Sequence, residues 1–284
     1  MIDVVVLNYN DSDKCLEYVD CIKNHQVIDH ILIVDNCSRD ESFEKLKKIE
    51  NGKIIVRKTE KNGGYGYGNN YGIVYLSKSF NSHFVAITNP DVKYNEEALF
   101  KCVEFLKRNE QYTICAPRMK KTNGSYSFCA WNLRSWYEYV FQNLILLGRL
   151  VRENNLKEEM DGFFVCDCVA GSMLVVDVDN FKKIGMYDEN IFLYCEETVL
   201  GFKNGRQRAA ILKDVFFVHE HSVSINKSIK STFLKSKIQW TSRMYVLREY
   251  YHLRGIKYAI AYAVMIISLI ECGFISWLKT LKKV

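Results

Sequence analysis

A chain of 284 residues, 48% hydrophobic and 25% charged, is long enough for one substantial core and too apolar to be disordered. Its net charge of +6 is uneven: from Asn226 onward eleven Lys or Arg face two acids, which leaves the first 225 residues net negative. Ten cysteines without a C-x-x-C exclude a zinc ribbon, and Asp3 interrupts the first apolar run with no basic segment before it, so a cytoplasmic chain with reduced thiols is expected.

The first half alternates apolar runs with amphipathic stretches. "IDVVVLNYN" predicts a first strand, and residues 11–24 a helix. "HILIVDN" predicts a second strand, and "SRDESFEKLKKIE" a helix opened by a capping box of Ser38 and Glu41. "KIIVRK" predicts a third strand, "NGGYGYGNN" a glycine-rich loop entering a helix, and "HFVAITNPD" a fourth strand. A helix over 95–109 and the strand "YTICAP" follow. Such alternation, with strands apolar throughout, predicts an α/β fold with a mainly parallel sheet covered on both faces.

Residues 118–161 carry a weak pattern, read as an insertion with one aromatic helix over 136–147. "VAGSMLVVD" is a further strand, "EETVLGFKNG" a helix ending at Gly205, and "AAILKDVFFVHEHS" one or two strands. Phe233, Trp240, Met244, Leu247 and Tyr251 then recur at helical spacing. The division expected is a catalytic domain over 1–225 and a basic, apolar helical extension over 226–284.

Several polar clusters sit where open sheets place ligands, beyond the carboxyl ends of strands. Asp35 closes the second strand, suited to a ribose or a base. Glycines 63, 64, 66 and 68 permit close backbone approach to a ligand, and the helix after them would face an anion. That loop is neither a Rossmann fingerprint, which follows the first strand, nor a Walker A motif, which needs Gly-Lys-Ser/Thr. In "TNPD", Asn89 suits a hydroxyl and Asp91 a divalent metal bridging a diphosphate. Each feature has a plainer account: a helix cap, a surface loop, a turn. Glu196 and Glu197 begin a helix, where carboxylates are favoured electrostatically or serve as a general base. His219 and His221 share one face of a strand end, and one of them could complete a metal site.

In order and spacing, "VVVLNYN", "VDNCSRD", "NGGYGYGNN", "TNPD", "AGSMLVVD", "GMYDENIFLYCEETVL" and "VHEHSVS" resemble the family 2 glycosyltransferases of the GT-A fold over residues 1–225. The likeness is to bacterial transferases that build capsular, O-antigen or other surface polysaccharides, with an Asn-Pro-Asp motif frequent in rhamnosyltransferase-like members. It implies an inverting transfer from a nucleoside-diphosphate sugar with Mn²⁺ or Mg²⁺. The matched positions are Tyr9 and Asp35 for the nucleoside, Asn62 and Gly63 in the loop after strand three, and Asn89 for ribose or donor sugar. Asp91 matches the metal ligand, and His219 the histidine that joins metal and diphosphate. Relatives often read Glu-Asp-x-Asp-Leu where this chain has Glu196, Glu197, Thr198, Val199 and Leu200. The base position is therefore Glu197, with Glu196 in reserve.

The tail run "YAIAYAVMIISLIECGFISWL", residues 258–278, is long enough to span a bilayer, but Glu271 lies within it. A membrane-docked helix at an anionic inner leaflet is expected, with dimer packing or a span as alternatives. A saccharide or polyprenyl-linked acceptor would suit that placement, and nucleic acid is not an expected partner. "IQWTSR" does not match the Gln-x-x-Arg-Trp motif of processive synthases, so one sugar per encounter is expected. The rival readings are a sugar nucleotidyltransferase and an inactive scaffold of a polysaccharide assembly complex.

Overall fold

The computed structural model describes residues 1–142, 144, 156–158, 162–220 and 231–281. The first half folds as a wound α/β unit: β1 (Ile2–Asn8), α1 (Ser12–Ile22), β2 (Ile28–Asp35), α2 (Ser42–Lys47), β3 (Ile54–Lys58), α3 (Tyr65–Phe80) and β4 (Phe84–Thr88). β5 (Val92–Tyr94), α4 (Glu96–Arg108), β6 (Ile114–Lys120), β7 (Ala130–Trp131) and α5 (Trp136–Phe141) follow. Then come β8 (Lys157–Glu158), β9 (Phe163–Cys166), β10 (Cys168–Val169), β11 (Met173–Asp177), α6 (Val178–Lys183), α7 (Glu196–Asn204) and β12 (Ala209–His219). Two C-terminal helices, α8 (Thr232–Glu249) and α9 (Gly255–Leu281), complete it.

The main sheet runs in the order β3-β2-β1-β4-β11-β6-β12-β9-β8. β1 to β4 are parallel, and β11 lies antiparallel between β4 and β6. β12 runs parallel to β6. The order reverses at β1, whose neighbours β2 and β4 lie on opposite sides, so a crevice opens at the carboxyl ends of β1 and β4. Ile31, Leu32, Ile33, Val85, Ala86 and Ile87 are fully buried, as strands covered on both faces require. β12 is one strand rather than two. A register shift between Leu212 and Phe216 lets its first half pair with β9 and its end with β5.

Two local expectations are corrected. Ser38 does not cap a helix: α2 begins at Ser42, and the Ser38 hydroxyl instead accepts from the Asn10 amide at 2.9 Å and from Asn8 Nδ2 at 3.3 Å. The glycine-rich stretch is largely helix. A Cβ on Gly68 would fall 2.3 Å from Leu7 Cδ1 and one on Gly72 2.7 Å from Val5 Cγ1, so these glycines seat α3 directly on the sheet rather than on a ligand.

α5 is shorter than expected; its capping box of Ser135 and Glu138 is present, and residues 145–147 lie outside the described residues. A second core joins α5, α7, α8 and α9 through Tyr139, Val140, Val199, Trp240, Leu247 and Val264. Helical spacing had marked Trp240, Met244 and Leu247 as its face. The expected boundary at 225 falls in 221–230, outside the described residues.

Candidate active site

Strand ends β1 to β3 build a rigid polar frame. Asp35 is 0% exposed. Its Oδ2 accepts from Asn8 Nδ2 at 2.8 Å and its Oδ1 from the Ser38 amide at 2.9 Å. Both oxygens thus take part in fixing the loop between β2 and α2, at the rim where a nucleoside contact was expected of Asp35. Asn62 does similar work: its Oδ1 accepts from Asn36 Nδ2 at 3.0 Å and from the Gly64 amide at 3.2 Å. Tyr9 and Gly63 lie at the rim of this frame, half-buried. Gly64, at φ +95°, sits against the backbone of Phe192, whose carbonyl accepts from the Tyr65 amide at 3.0 Å. The frame is thereby tied to the loop that leads into α7.

The Asn-Pro-Asp turn ends β4 and feeds β5, which pairs with the end of β12, Val92 opposite His219. That pairing explains how distant Asp91 and His219 meet, with Nε2 of His219 3.2 Å from Oδ1 of Asp91. The oxygen is buried and receives no aligned hydrogen bond, so the contact is one of proximity only. An acceptor-only carboxylate oxygen facing an imidazole nitrogen is a donor set that suits a Mn²⁺-like or Mg²⁺-like cation. Among the described residues no cluster of three or more His, Cys, Asp or Glu forms a complete cage, so a cation there would need oxygens from a substrate or water. His221 lies outside the described residues.

Glu196 and Glu197 open α7 behind a strained approach. Tyr194 and Cys195 are consecutive non-glycine residues in the left-handed region, at φ 69° and 72°. The Gly171 amide donates to Glu197 Oε1 at 3.1 Å, and the Gly171 carbonyl accepts from the Tyr65 hydroxyl at 2.6 Å. A Cβ on Gly171 would stand 3.2 Å from that same oxygen, so glycine allows the backbone this close. Glu196 is buried, and its Oε1 has no partner. Burial and the neighbouring Glu197 charge push its carboxyl up to about 8. Burial also raises Glu197, opposed by amides of its own helix and of Gly171. The backbone amides of Glu196 itself and of Tyr194 oppose the rise at Glu196 as well, but burial and the Glu197 charge outweigh them.

Tyr65, Asn89, Gly171, Glu196, Glu197 and His219 line one cavity of about 590 Å³, whereas Tyr9, Asp35, Asn62, Gly63 and Asp91 are outside its lining. Asp91 lies just behind His219. Residues between Met119 and Gln142, among them Trp131, Arg134 and Tyr139, supply a further part of the wall; sequence reasoning missed the part that α8 supplies through Gln239 and Arg243, one helical turn apart. Arg243 is 6% exposed, with its guanidinium 4.2 Å from the Tyr139 ring centre and a hydrogen bond to the Tyr139 carbonyl. An arginine breaking the apolar face of a predicted helix was the available signal. α8 also clamps the approach to α7: the Tyr245 and Tyr250 hydroxyls donate to Asp188 Oδ2 at 2.9 and 2.7 Å, and Ser242 Oγ to the Leu193 carbonyl at 2.7 Å.

Comparisons agree with this geometry. Over 217 residues the chain is 25% identical to the low-salt glycan biosynthesis hexosyltransferase Agl10 of Haloferax volcanii, covering 74% of this chain and 63% of that protein. It is 23% identical over 212 residues to the rhamnosyltransferase WbbL of Escherichia coli, covering 69% and 74%. The mannosyltransferase PcManGT of Pyrobaculum calidifontis, solved with GDP-Man and Mn²⁺, superposes with a TM-score of 0.58 at 12% identity, over 95% of this chain and 73% of that one. The likeness bears out the GT-A architecture. Residues 3–177, more than half of the chain, match the family described as Glycosyl transferase family 2, and the chain belongs to that family.

Proposed function

We propose that this protein is an inverting glycosyltransferase that moves one sugar from a nucleoside-diphosphate sugar to a hydroxyl of a growing surface polysaccharide or lipid-linked oligosaccharide. The observation that carries this reading is the Glu197 carboxylate, held by the Gly171 amide in the cavity that Asn89 and His219 also line. Tyr9, Gly63 and Asn89 border the donor's nucleoside and sugar, while Asp35 and Asn62 keep that border rigid. Asp91 and His219 would hold the divalent cation, which when bound offsets charge on the departing diphosphate. Glu197 takes the proton of the acceptor hydroxyl as that oxygen attacks the anomeric carbon from the face opposite the diphosphate, which inverts the centre. Glu196 stays protonated beside it and adds no second negative charge to the pocket. Membership of the family, with a hexosyltransferase and a rhamnosyltransferase among its relatives, supports hexose and deoxyhexose donors for a capsule-like or O-antigen-like glycan. A polyprenyl-linked acceptor would place the enzyme at the cytoplasmic face of a membrane.

Calorimetry with UDP-, dTDP- and GDP-sugars, each with and without Mn²⁺ or Mg²⁺, tests the reading. One donor is expected to bind in a metal-dependent way, and Asp91→Ala is expected to abolish the metal dependence. Folded protein that binds no donor overturns the proposal, and metal-dependent binding unchanged in Asp91→Ala overturns the ligand assignment.

A further inference from the structure

The C-terminal helix α9 has two unlike faces. Ala261, Val264 and Ser268 are buried on one of them, where Trp240 Nε1 of α8 donates to Ser268 Oγ at 3.0 Å. On the other, Ile256, Ile260, Ala263, Ile267, Ile270 and Phe274 recur at spacings of four and three and form one exposed apolar stripe. Ile256 is 81% exposed, Ile270 65% and Phe274 57%. Soluble monomers rarely show water a continuous stripe of this kind. Beside it, α8 and α9 enclose an apolar groove of about 580 Å³, walled by Phe233, Ile266, Leu269 and Phe274. Space is open at Gly273 in its wall, where a Cβ would meet nothing within 4 Å.

We propose that α9 and the first turn of α8 form a monotopic dock on an anionic lipid leaflet, with the stripe in the acyl boundary and the groove receiving lipid tails. This deepens the membrane contact proposed above by naming the surface and its orientation. Gly255–Ile275 is long and apolar enough to cross a bilayer. As a span, however, this helix would draw α8, packed along one of its faces and carrying Lys237, Arg243 and Arg248, into the hydrocarbon with it. A second copy of the chain is disfavoured by charge. The exposed Lys237, Arg254 and Lys257 would set like charge against like in a self-pair of this surface, whereas an anionic leaflet provides the complement. Lys237, Arg254 and Lys257 are exposed around the stripe and would meet lipid headgroups. α8, about 10 Å across, is shared by the two sites: its first turn carries Phe233 of the groove, and Gln239 and Arg243 line the cavity.

The test is flotation of the full chain with phosphatidylglycerol vesicles, set against phosphatidylcholine vesicles, for wild type and for a variant carrying Ile267→Asp and Ile270→Asp. Both positions are exposed, and an unchanged melting temperature checks that the variant folds. Wild type is expected to float with the anionic vesicles and the variant to lose at least about tenfold in partitioning. No flotation of wild type, or equal flotation of the variant, overturns the dock. So does light scattering that shows a dimer split by the variant while vesicles retain neither protein. Donor calorimetry in the same samples reads donor binding separately, so failure of the proposed function and failure of the dock are distinct results.

Discussion

Glu197→Gln isolates the proton-transfer step. The amide has the shape of the carboxylate, and its oxygen can still accept from the Gly171 amide now 3.1 Å from Oε1. Packing around α7 is therefore retained, and removal of a buried charge adds no desolvation cost. What disappears is basicity. A positioned general base is worth about 10²–10⁴ in rate, or about 2.7–5.4 kcal/mol of barrier. The groups proposed to bind the donor, Asn89, Asp91 and His219, come from the turn after β4 and from β12, not from α7, so donor affinity is expected to stay at its wild-type value. The assay is release of nucleoside diphosphate, followed with an acceptor or with water in its place, alongside calorimetry of the donor. A fall in kcat of about a hundredfold or more with unchanged donor affinity is expected. Near-normal turnover refutes the assignment, and if Glu196→Gln then proves inactive, the base is Glu196.

Glu196 also links stability to pH. Its folded carboxyl lies at about 8, above the ordinary 4.5, so the folded protein holds a proton that the unfolded chain has released. Stability is then full below about pH 4.5 and declines as pH rises toward about 8. Glu196→Gln is expected to flatten that decline and to be the more stable protein at the alkaline end, by a few kcal/mol; thermal melts across this range that run parallel to wild type would contradict it. Gly64→Ala is expected to destabilise strongly, by more than about 2 kcal/mol, because the new Cβ would lie 2.1 Å from the Phe192 carbonyl oxygen at a left-handed backbone. Urea unfolding reads the loss, and an unchanged midpoint would show that the Phe192 loop yields freely.

The alternating first half of the chain was legible because each buried strand is a continuous apolar run and each helix has a polar face. The closeness of Asp91 and His219 has a related reason: Asp91 lies in the turn between β4 and β5, and β5 pairs with the end of β12, where His219 sits. The glycines misled. Gly64, Gly68 and Gly72 recur every four residues, a helix-face spacing, yet a run that rich in glycine suggests a loop. Ser38 misled as well, since its hydroxyl is taken by Asn8 and Asn10 from another strand end, a partner that no local pattern shows. The stretch 118–161 stayed opaque because β7 pairs with β10, far along the chain, over only Trp131 and Ala130. Arg243 was overlooked because the face it interrupts was read as packing alone.

One helix, α8, belongs at once to the cavity wall, to the clamp on Asp188 and to the seat of α9. Gene fusion and truncation usually assume that a catalytic unit can be lifted out where sequence resemblance fades, here near residue 225. In this protein such a cut would remove Gln239 and Arg243 from the pocket, release the approach to Glu197 and expose Val140 and Val199 to water. Chimeras that exchange acceptor preference are better joined within the chain before α5, keeping α5, α7, α8 and α9 as one exchangeable block.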